Sequence, residues 1–390
     1  MDEKMVKGTS IFRKLQKHLN QQAIGYPRTL SSIDIELLKY IFIKEEYVYM
    51  ALNLNYKFQF IEEIHESIKK NNITQKWGFT PSKDETAKIL LEMRKIRAIG
   101  YRIRDDKEQY SLIPYYEGLF ELQTGNMTEQ FSKLHKRITR DPMYQLSVLN
   151  IYPTQHRTIP IESAVSPELH VAPFNDVKKL VQDAEPPFLK IKCPCREVKK
   201  SQNHACKVSE DYHICLVMGD LGVLIKDLDM GIEISKDEAI EILRRNQEAG
   251  LVLQPSNYKK VESICSCCNC CCGLLSLIKN INRPADYWTS HYYTINDPKL
   301  CSGCGICKSR CPANAITINT HAIVDHTRCI GCGVCVPSCP EKAMTLIPKE
   351  KPKEIPETRE DLHEKIYKNK KSFFGILRTA LRMSKGKEWV

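Results

Sequence analysis

Two stretches of the chain carry the same arrangement of thiols. The first, CSGCGICKSRCP, places Cys301, Cys304, Cys307 and Cys311 ahead of Pro312. The second, CIGCGVCVPSCP, places Cys329, Cys332, Cys335 and Cys339 ahead of Pro340. Both read C-x2-C-x2-C-x3-C-P. Thiolates are soft ligands that select zinc and iron–sulfur centres. Two-residue gaps let successive thiolates of one tight loop reach three corners of a small iron–sulfur cube. Gly303, Gly305, Gly331 and Gly333 remove Cβ atoms where the backbone must curl and turn N–H groups toward sulfur. Pro312 and Pro340 end each loop. Structural zinc takes two separated ligand pairs rather than four thiols in eleven residues. A disulfide framework needs an oxidising compartment. The spacing points to two four-iron cubanes.

The doubled run resembles that of bacterial-type two-cluster ferredoxins, in which the fourth cysteine of each run ligates the other cluster. The resemblance implies that Cys301, Cys304, Cys307 and Cys339 hold one [4Fe-4S] cluster. Cys329, Cys332, Cys335 and Cys311 would hold the second. Proteins of this type pass single electrons.

Ten further cysteines lie outside the doubled run. FLKIKCPCREVKKSQNHACKVSEDYHIC contains Cys193, Cys195, Cys206 and Cys215, and ICSCCNCCCGLL contains Cys265, Cys267, Cys268, Cys270, Cys271 and Cys272. Six thiols in eight residues cannot all serve one centre from one loop. Crowded free thiols oxidise or scavenge metal, so a bound centre is the expected state. Ten thiols suffice for two more four-iron clusters with two to spare, or for one larger or non-cubane cluster. Zinc competes, because His204 and His213 lie beside Cys206 and Cys215 and mixed Cys/His sets suit it. Arg196, directly after CPC, either hydrogen-bonds a cluster or faces solvent. With these blocks read, the chain resembles multi-cluster ferredoxin-domain proteins of anaerobic bacteria and archaea, which join a winged-helix-like front, a CxCR segment, a CCxCCC loop and a two-cluster ferredoxin. That wider resemblance implies no settled reaction.

The elements that must position these thiols form an expected α+β multidomain chain. Residues 1–30 read as an N-terminal arm. IELLKYIFIKEEYVYMALNL is apolar at helical spacing, QFIEEIHESIKK is a second helix, and Ser82 to Glu85 opens a third that stops at Gly100. YRIRDD and EQYSLIPYY read as strands around Asp105-Asp106. Three helices and a hairpin resemble a winged helix over residues 31–120. Its third helix would carry Lys83, Lys88, Arg94, Lys95 and Arg97, and its wing Arg102 and Arg104. These could meet DNA; Asp84, Glu85 and Glu92 among them equally suit a solvated or protein-docking face. Residues 121–190 read as a connector broken by Pro142, Pro153, Pro160, Pro167 and Pro173, with a polar cluster at His156, Arg157 and Glu162 that lacks catalytic spacing. A cysteine-rich metal-binding α/β region (191–290), the ferredoxin-like domain (291–348) and a linker with a basic amphipathic tail (349–390) complete the chain.

Composition narrows the function. At 390 residues the chain is expected to hold two or three domains. The N-terminus lacks the apolar core of a signal peptide, and no stretch approaches the roughly twenty apolar residues of a membrane span. A reducing, oxygen-poor cytoplasm is the expected setting. The net charge is +11, and Lys365–Val390 holds eight basic residues against one Glu. Within that tail Phe373, Leu377 and Ala380 share a helical face flanked by Phe374 and Leu381, with Arg378 and Arg382 opposite. Such a helix suits an anionic membrane surface, an acidic partner or packing on its own protein. No dinucleotide, phosphate-loop or flavin motif occurs, so redox partner proteins are expected to donate and accept the electrons. The reading is an electron-transfer protein or oxidoreductase subunit. Two alternatives stand beside it: a redox-sensing winged-helix DNA-binding regulator, and a reductase or activase using an unusual cluster at Cys265–Cys272.

Overall fold

The computed structural model describes residues 3–72, 78–166, 169 and 171–387. Pro167 and the last three residues of the basic tail lie outside them. The chain divides into two compact units: Met1–Ile151 with Val223–Met230 and Ile366–Lys370, and Tyr152–Gly222 with Gly231–Lys365 and Lys371–Val390.

In the first unit α1 (Glu3–Gln21) runs through most of the expected arm and packs on α2 (Ile33–Ile41) and α3 (Glu45–Ala51). The single long helix expected here is broken at residues 42–44, where Lys44 is extended. Phe42 is thereby buried while Ile43 is left outside. Asp34, buried in the first turn of α2, accepts from Thr29 Oγ1 at 2.7 Å and pairs with Arg13. β1 (Gln59–Phe60) leads into α4 (Ile61–Lys70) and α5 (Lys83–Lys95). The Ser82–Glu85 capping box is formed: Ser82 Oγ accepts from Glu85 N at 3.2 Å and Glu85 Oε2 from Ser82 N at 2.7 Å. β2 (Gly100–Arg104) and β3 (Lys107–Ser111) form the expected hairpin. Asp105 and Asp106 both hold φ near +50°, a conformation that Asp tolerates in tight hairpin turns. The three strands order β1-β3-β2, and α6 (Glu129–Arg140) packs on α2.

In the second unit β4 (Arg157–Thr158) precedes a five-stranded sheet of β5 (Phe188–Ile191), β6 (Cys215–Val217), β7 (Gly231–Ile234), β8 (Val252–Pro255) and β9 (Ser263–Cys267), in the order β7-β5-β6-β9-β8. Every pairing in this sheet is antiparallel. The expected α/β region is therefore built without parallel crossovers. Helices α7 (Val177–Asp183), α8 (Pro194–Ser201), α9 (Lys236–Glu248) and α10 (Gly273–Asn280) attend it. The core joins Leu180, Val181, Leu243 and Phe188 to Leu216, Leu253 and Ile264. Strand β10 (Thr289–Ser290) pairs in parallel with β4.

The C-terminal module pairs β11 (Tyr292–Asn296) with β14 (Met344–Pro348), and β12 (Ile316–Ile318) with β13 (Ala322–Val324). Its short helix α11 is Ile306–Arg310. The Pro/Lys/Glu segment that follows is anchored: half-buried Lys353 donates through Nζ to Asp286 O at 2.6 Å and Trp288 O at 3.1 Å. Helix α12 (Phe373–Ser384), capped by Ser372, buries Ile376, Thr379 and Met383. Phe373, Phe374, Leu377 and Leu381 face outward. The face read from the sequence as apolar is thus the exposed one. Among the described residues no helix is long and apolar enough to cross a membrane.

Candidate cofactor sites

The doubled cysteine loops fold onto one another. Cys307 and Cys335 are buried with Ile316, Ala322 and Met344, and Cys301, Cys311 and Cys339 pack around them. Cys332 and Cys335 each have Cys311 and Cys329 as electrostatic neighbours, with Cys307 a weaker one for Cys335, whereas Cys307 has Cys301 and Cys304. Cys311 therefore stands with the first three cysteines of the other loop. Burial pushes the Cys335 thiol up to about 12, and raises Cys311 and Cys332 as well. A metal must offset this cost when such thiols bind as thiolates. Backbone N–H groups are aimed at sulfur, Ala315 to Cys311 Sγ at 3.2 Å and Ala322 to Cys301 Sγ at 3.4 Å. A Cβ on Gly331 would sit 2.2 Å from Tyr292 O, and one on Gly303 2.6 Å from Thr320 O; both glycines hold positive φ. This close backbone curl with donors turned to sulfur fits an anionic iron–sulfur group.

Residues 292–344 match the family described as the 4Fe-4S dicluster domain. The chain carries an iron–sulfur, ferredoxin-like domain. No curated protein and no solved structure matches the chain. The dicluster domain is seated against the segment that follows β4: Ile161 N donates to Cys332 O at 3.1 Å, and the space beside Gly333 is filled by Ala164.

The ten remaining cysteines separate into six and four. Alternation along β9 turns Ile264 and Ser266 toward the helix-covered face, where Ser266 Oγ meets Asn246 Nδ2 of α9 at 2.9 Å. Cys265 and Cys267 face the other way. Leu216 likewise joins the helix-side core and leaves Cys215 of β6 on the cysteine side. Cys193 caps α8 and Cys195 lies in its first turn, while Cys272 caps α10. These six thiols are neighbours in a closed ring of pairs: Cys193 with Cys195, Cys195 with Cys272, Cys272 with Cys267, Cys267 with Cys265, Cys265 with Cys215, and Cys215 with Cys193. Cys195 is held well below the usual thiol range by the thiols of Cys193 and Cys272, and Cys265 by those of Cys215 and Cys267. Two helix N-termini and the backbone N–H of Gly273, which bonds Cys195, add positive potential to the ring.

Cys206, Cys268, Cys270 and Cys271 form the second group, with sulfurs all within 4.8 Å of one another. Cys206 Sγ lies 3.6 Å from Cys268 Sγ and 3.7 Å from Cys270 Sγ. Cys270 Sγ is 3.6 Å from Cys268 Sγ and 3.7 Å from Cys271 Sγ. Burial raises Cys206, but bonds from the Val208 and Ser209 backbones and the charge of Arg196 outweigh it and bring the thiol to about 7. His204 is exposed, and His213 Nδ1 lies 3.9 Å from Asp211 Oδ1. Neither joins the thiol group, which is made of cysteines alone.

Other residues singled out in the sequence find varied places. Arg196 is 1% exposed and donates through Nη1 to Asp211 O at 2.5 Å. The thiols of Cys268, Cys206 and Cys193 are its neighbours, which decides between the two placements left open for it. His156 is buried and hydrogen-bonds Cys265 of the ring; no spacing in the sequence could have joined residues so far apart. Arg157, 1% exposed, donates to Tyr258 O at 3.0 Å and Phe174 O at 2.8 Å and ties chain segments together. Glu162 accepts from Gln247 Nε2 at 3.0 Å and Lys178 Nζ at 2.9 Å. On α5, Lys88 and Lys95 are exposed and Lys83 pairs with Glu62 at 2.7 Å. Arg94 is buried, donating through Nε to Asp227 Oδ2 at 2.6 Å, and Arg97 donates to Leu228 O at 3.3 Å. Arg102 lies over the Phe58 ring. The basic surface available to a nucleic acid is smaller than the sequence suggested.

Proposed function

We propose that this is an electron-transfer protein whose dicluster domain holds two [4Fe-4S] clusters and whose six-thiol ring holds a further iron–sulfur centre, passing single electrons between partner proteins. The observation that carries this reading is the doubled cysteine run, folded so that Cys311 stands with Cys329, Cys332 and Cys335. Four-iron clusters supply one-electron carriers whose potentials follow cluster charge, hydrogen bonds to sulfur and solvent exposure. The chain sets those terms through the Ala315 and Ala322 N–H groups and the burial of Cys307, Cys329, Cys332 and Cys335. Proximity supports a shared conduit. Leu251 packs among Cys193, Cys215, Cys268 and Cys271, while the adjoining Gly250 lies against Arg310 and Val334 of the dicluster domain.

Cys301→Ser and Cys332→Ser, purified without oxygen, are each expected to lose one cluster, about four irons and one reduced-state EPR signal. Unchanged iron content in both variants would remove the assignment.

One observation favours a second reading. A cubane uses four thiolates, whereas the ring offers six with His156 against Cys265. A larger or non-cubane centre there would make this a reductase or activase. An EPR signal from the ring centre that changes on adding a small ligand such as cyanide supports that reading, and an insensitive signal supports the relay.

A further inference from the structure

We propose that Cys206, Cys268, Cys270 and Cys271 form a mononuclear tetrahedral site for one thiophilic divalent cation, Zn2+ or Fe2+, distinct from the six-thiol ring. Sulfur spacing carries the inference. Metal–sulfur bonds of about 2.3 Å in tetrahedral array place the sulfurs about 3.8 Å apart. Four of the six separations are 3.6 to 3.7 Å, and all six lie within 4.8 Å. In a cubane each thiolate sits on its own iron, and each iron is already displaced from the cluster centre, so the sulfurs must stand much farther apart. Four thiols this close can share one ion and cannot span a cube.

The chain delivers the set by local geometry. Cys272 N bonds Cys268 O at 3.1 Å, closing a tight turn that gathers the thiols of Cys268, Cys270 and Cys271. Within the crowded loop neighbours part company: Cys267 goes to the ring and Cys268 to the four, and Cys271 to the four and Cys272 to the ring. Cys206 comes from the loop after α8. One ion would therefore clasp that loop to the turn before α10, segments adjoining Cys195 and Cys272 of the ring.

Charge agrees with this assignment. Four thiolates around a divalent ion leave two negative charges. The structure sets beside them a buried guanidinium whose Nε and Nη2 have no hydrogen-bond partner of ordinary geometry. Among the described residues Arg196 has no carboxylate ion pair, and a cation at that depth needs an anion. Lys207 N also points at Cys270 Sγ, at 3.5 Å.

The test counts metal and acid-labile sulfide in the anaerobically purified full chain and in Cys206→Ser and Cys270→Ser. A single-ion site contains no inorganic sulfide, so each variant is expected to lose one metal ion per chain with sulfide and the dicluster EPR signals unchanged. Loss of one zinc identifies the zinc form, and loss of one iron without sulfide the iron form. Iron and sulfide falling together in similar numbers would overturn the proposal, as would no loss of metal. Should the variants fail to fold, native mass spectrometry of the wild-type chain decides. A single-ion increment beyond whole clusters supports the site, and whole-cluster increments alone overturn it. Failure here leaves the dicluster assignment standing, because the two sites share no ligand.

Discussion

Gly331 shows how little freedom the cluster-binding loops have. Its φ is +65°, and an added Cβ would meet Ser290 Oγ at 2.5 Å as well as the Tyr292 carbonyl. A left-handed non-glycine residue costs about 1–2 kcal/mol, and overpacking adds about 1–3 kcal/mol. Gly331→Ala is therefore expected to cost several kcal/mol at the loop and to leave the chain about four irons short after anaerobic purification. Gly273→Ala, with nothing within 4 Å of the new methyl, serves as the control and is expected to keep its iron. His363 sets a pH dependence of another kind. Burial, with Arg359 nearby, lowers it to about 3 from 6.5. The unfolded chain takes up the proton below 6.5, whereas the folded chain does so only near 3. Stability from this residue is therefore full above pH 6.5 and declines as pH falls toward 3, by about 2 kcal/mol at pH 5. His363→Leu removes the titration. Its denaturation midpoint is expected to change less than that of the wild type between pH 7 and 5.

At the level of elements, what was legible in the sequence depended on whether the signal was local. The Ser82–Glu85 capping box and the Asp105-Asp106 turn are each complete within a dozen residues, and both stand in the structure as read. The six-and-four division was not legible, since it depends on strand pairing that sets Leu216 opposite Ile264 and on a turn that brings Cys206 to Cys268. Helix α12 was legible as a helix with an apolar face, but not in which face is covered. Helical periodicity finds an apolar face but cannot say whether that face is covered, and here Ile376 and Met383 are the residues turned inward. Phe374 stays 78% and Leu381 56% exposed beside Arg378 and Lys385, a pattern that would suit an anionic surface. Phe374→Ser with Leu381→Ser is expected to reduce co-sedimentation with vesicles containing anionic lipid at least tenfold and to leave the melting temperature unchanged. Ile376→Ala is expected to cost about 2–4 kcal/mol of stability. Equal vesicle binding by the double variant and the wild type would rule the surface out.

For the whole molecule, the sequence suggested a succession of domains, but the compact units are not successive. Residues Val223–Met230 and Ile366–Lys370 belong with Met1–Ile151 although cysteine-bearing segments lie between them. Asp227 shows the physical reason. Arg94, on α5, is buried with Tyr101 stacked 3.7 Å away, and its guanidinium needs a carboxylate that α5 does not supply. Asp227 supplies it, with Glu108 contributing a second contact at 3.1 Å. Lys370 does similar service at another point, donating to Asn20 O and Gln22 O at 2.6 Å. No sequence pattern announces such pairings, because each half looks like an ordinary surface charge until the other half is placed. The consequence can be measured. Asp227→Ala in the full chain removes a charged hydrogen bond to a buried arginine, a loss of about 2 kcal/mol. A fragment ending at Ile151 lacks Asp227, Leu228 O and Lys370 together and is expected to be less stable than the first unit of the full chain by more than that variant. Chemical denaturation followed by tyrosine fluorescence of the fragment, the variant and the wild type gives the order. A fragment as stable as the first unit of the wild type would show that the later segments only rest on an independent domain.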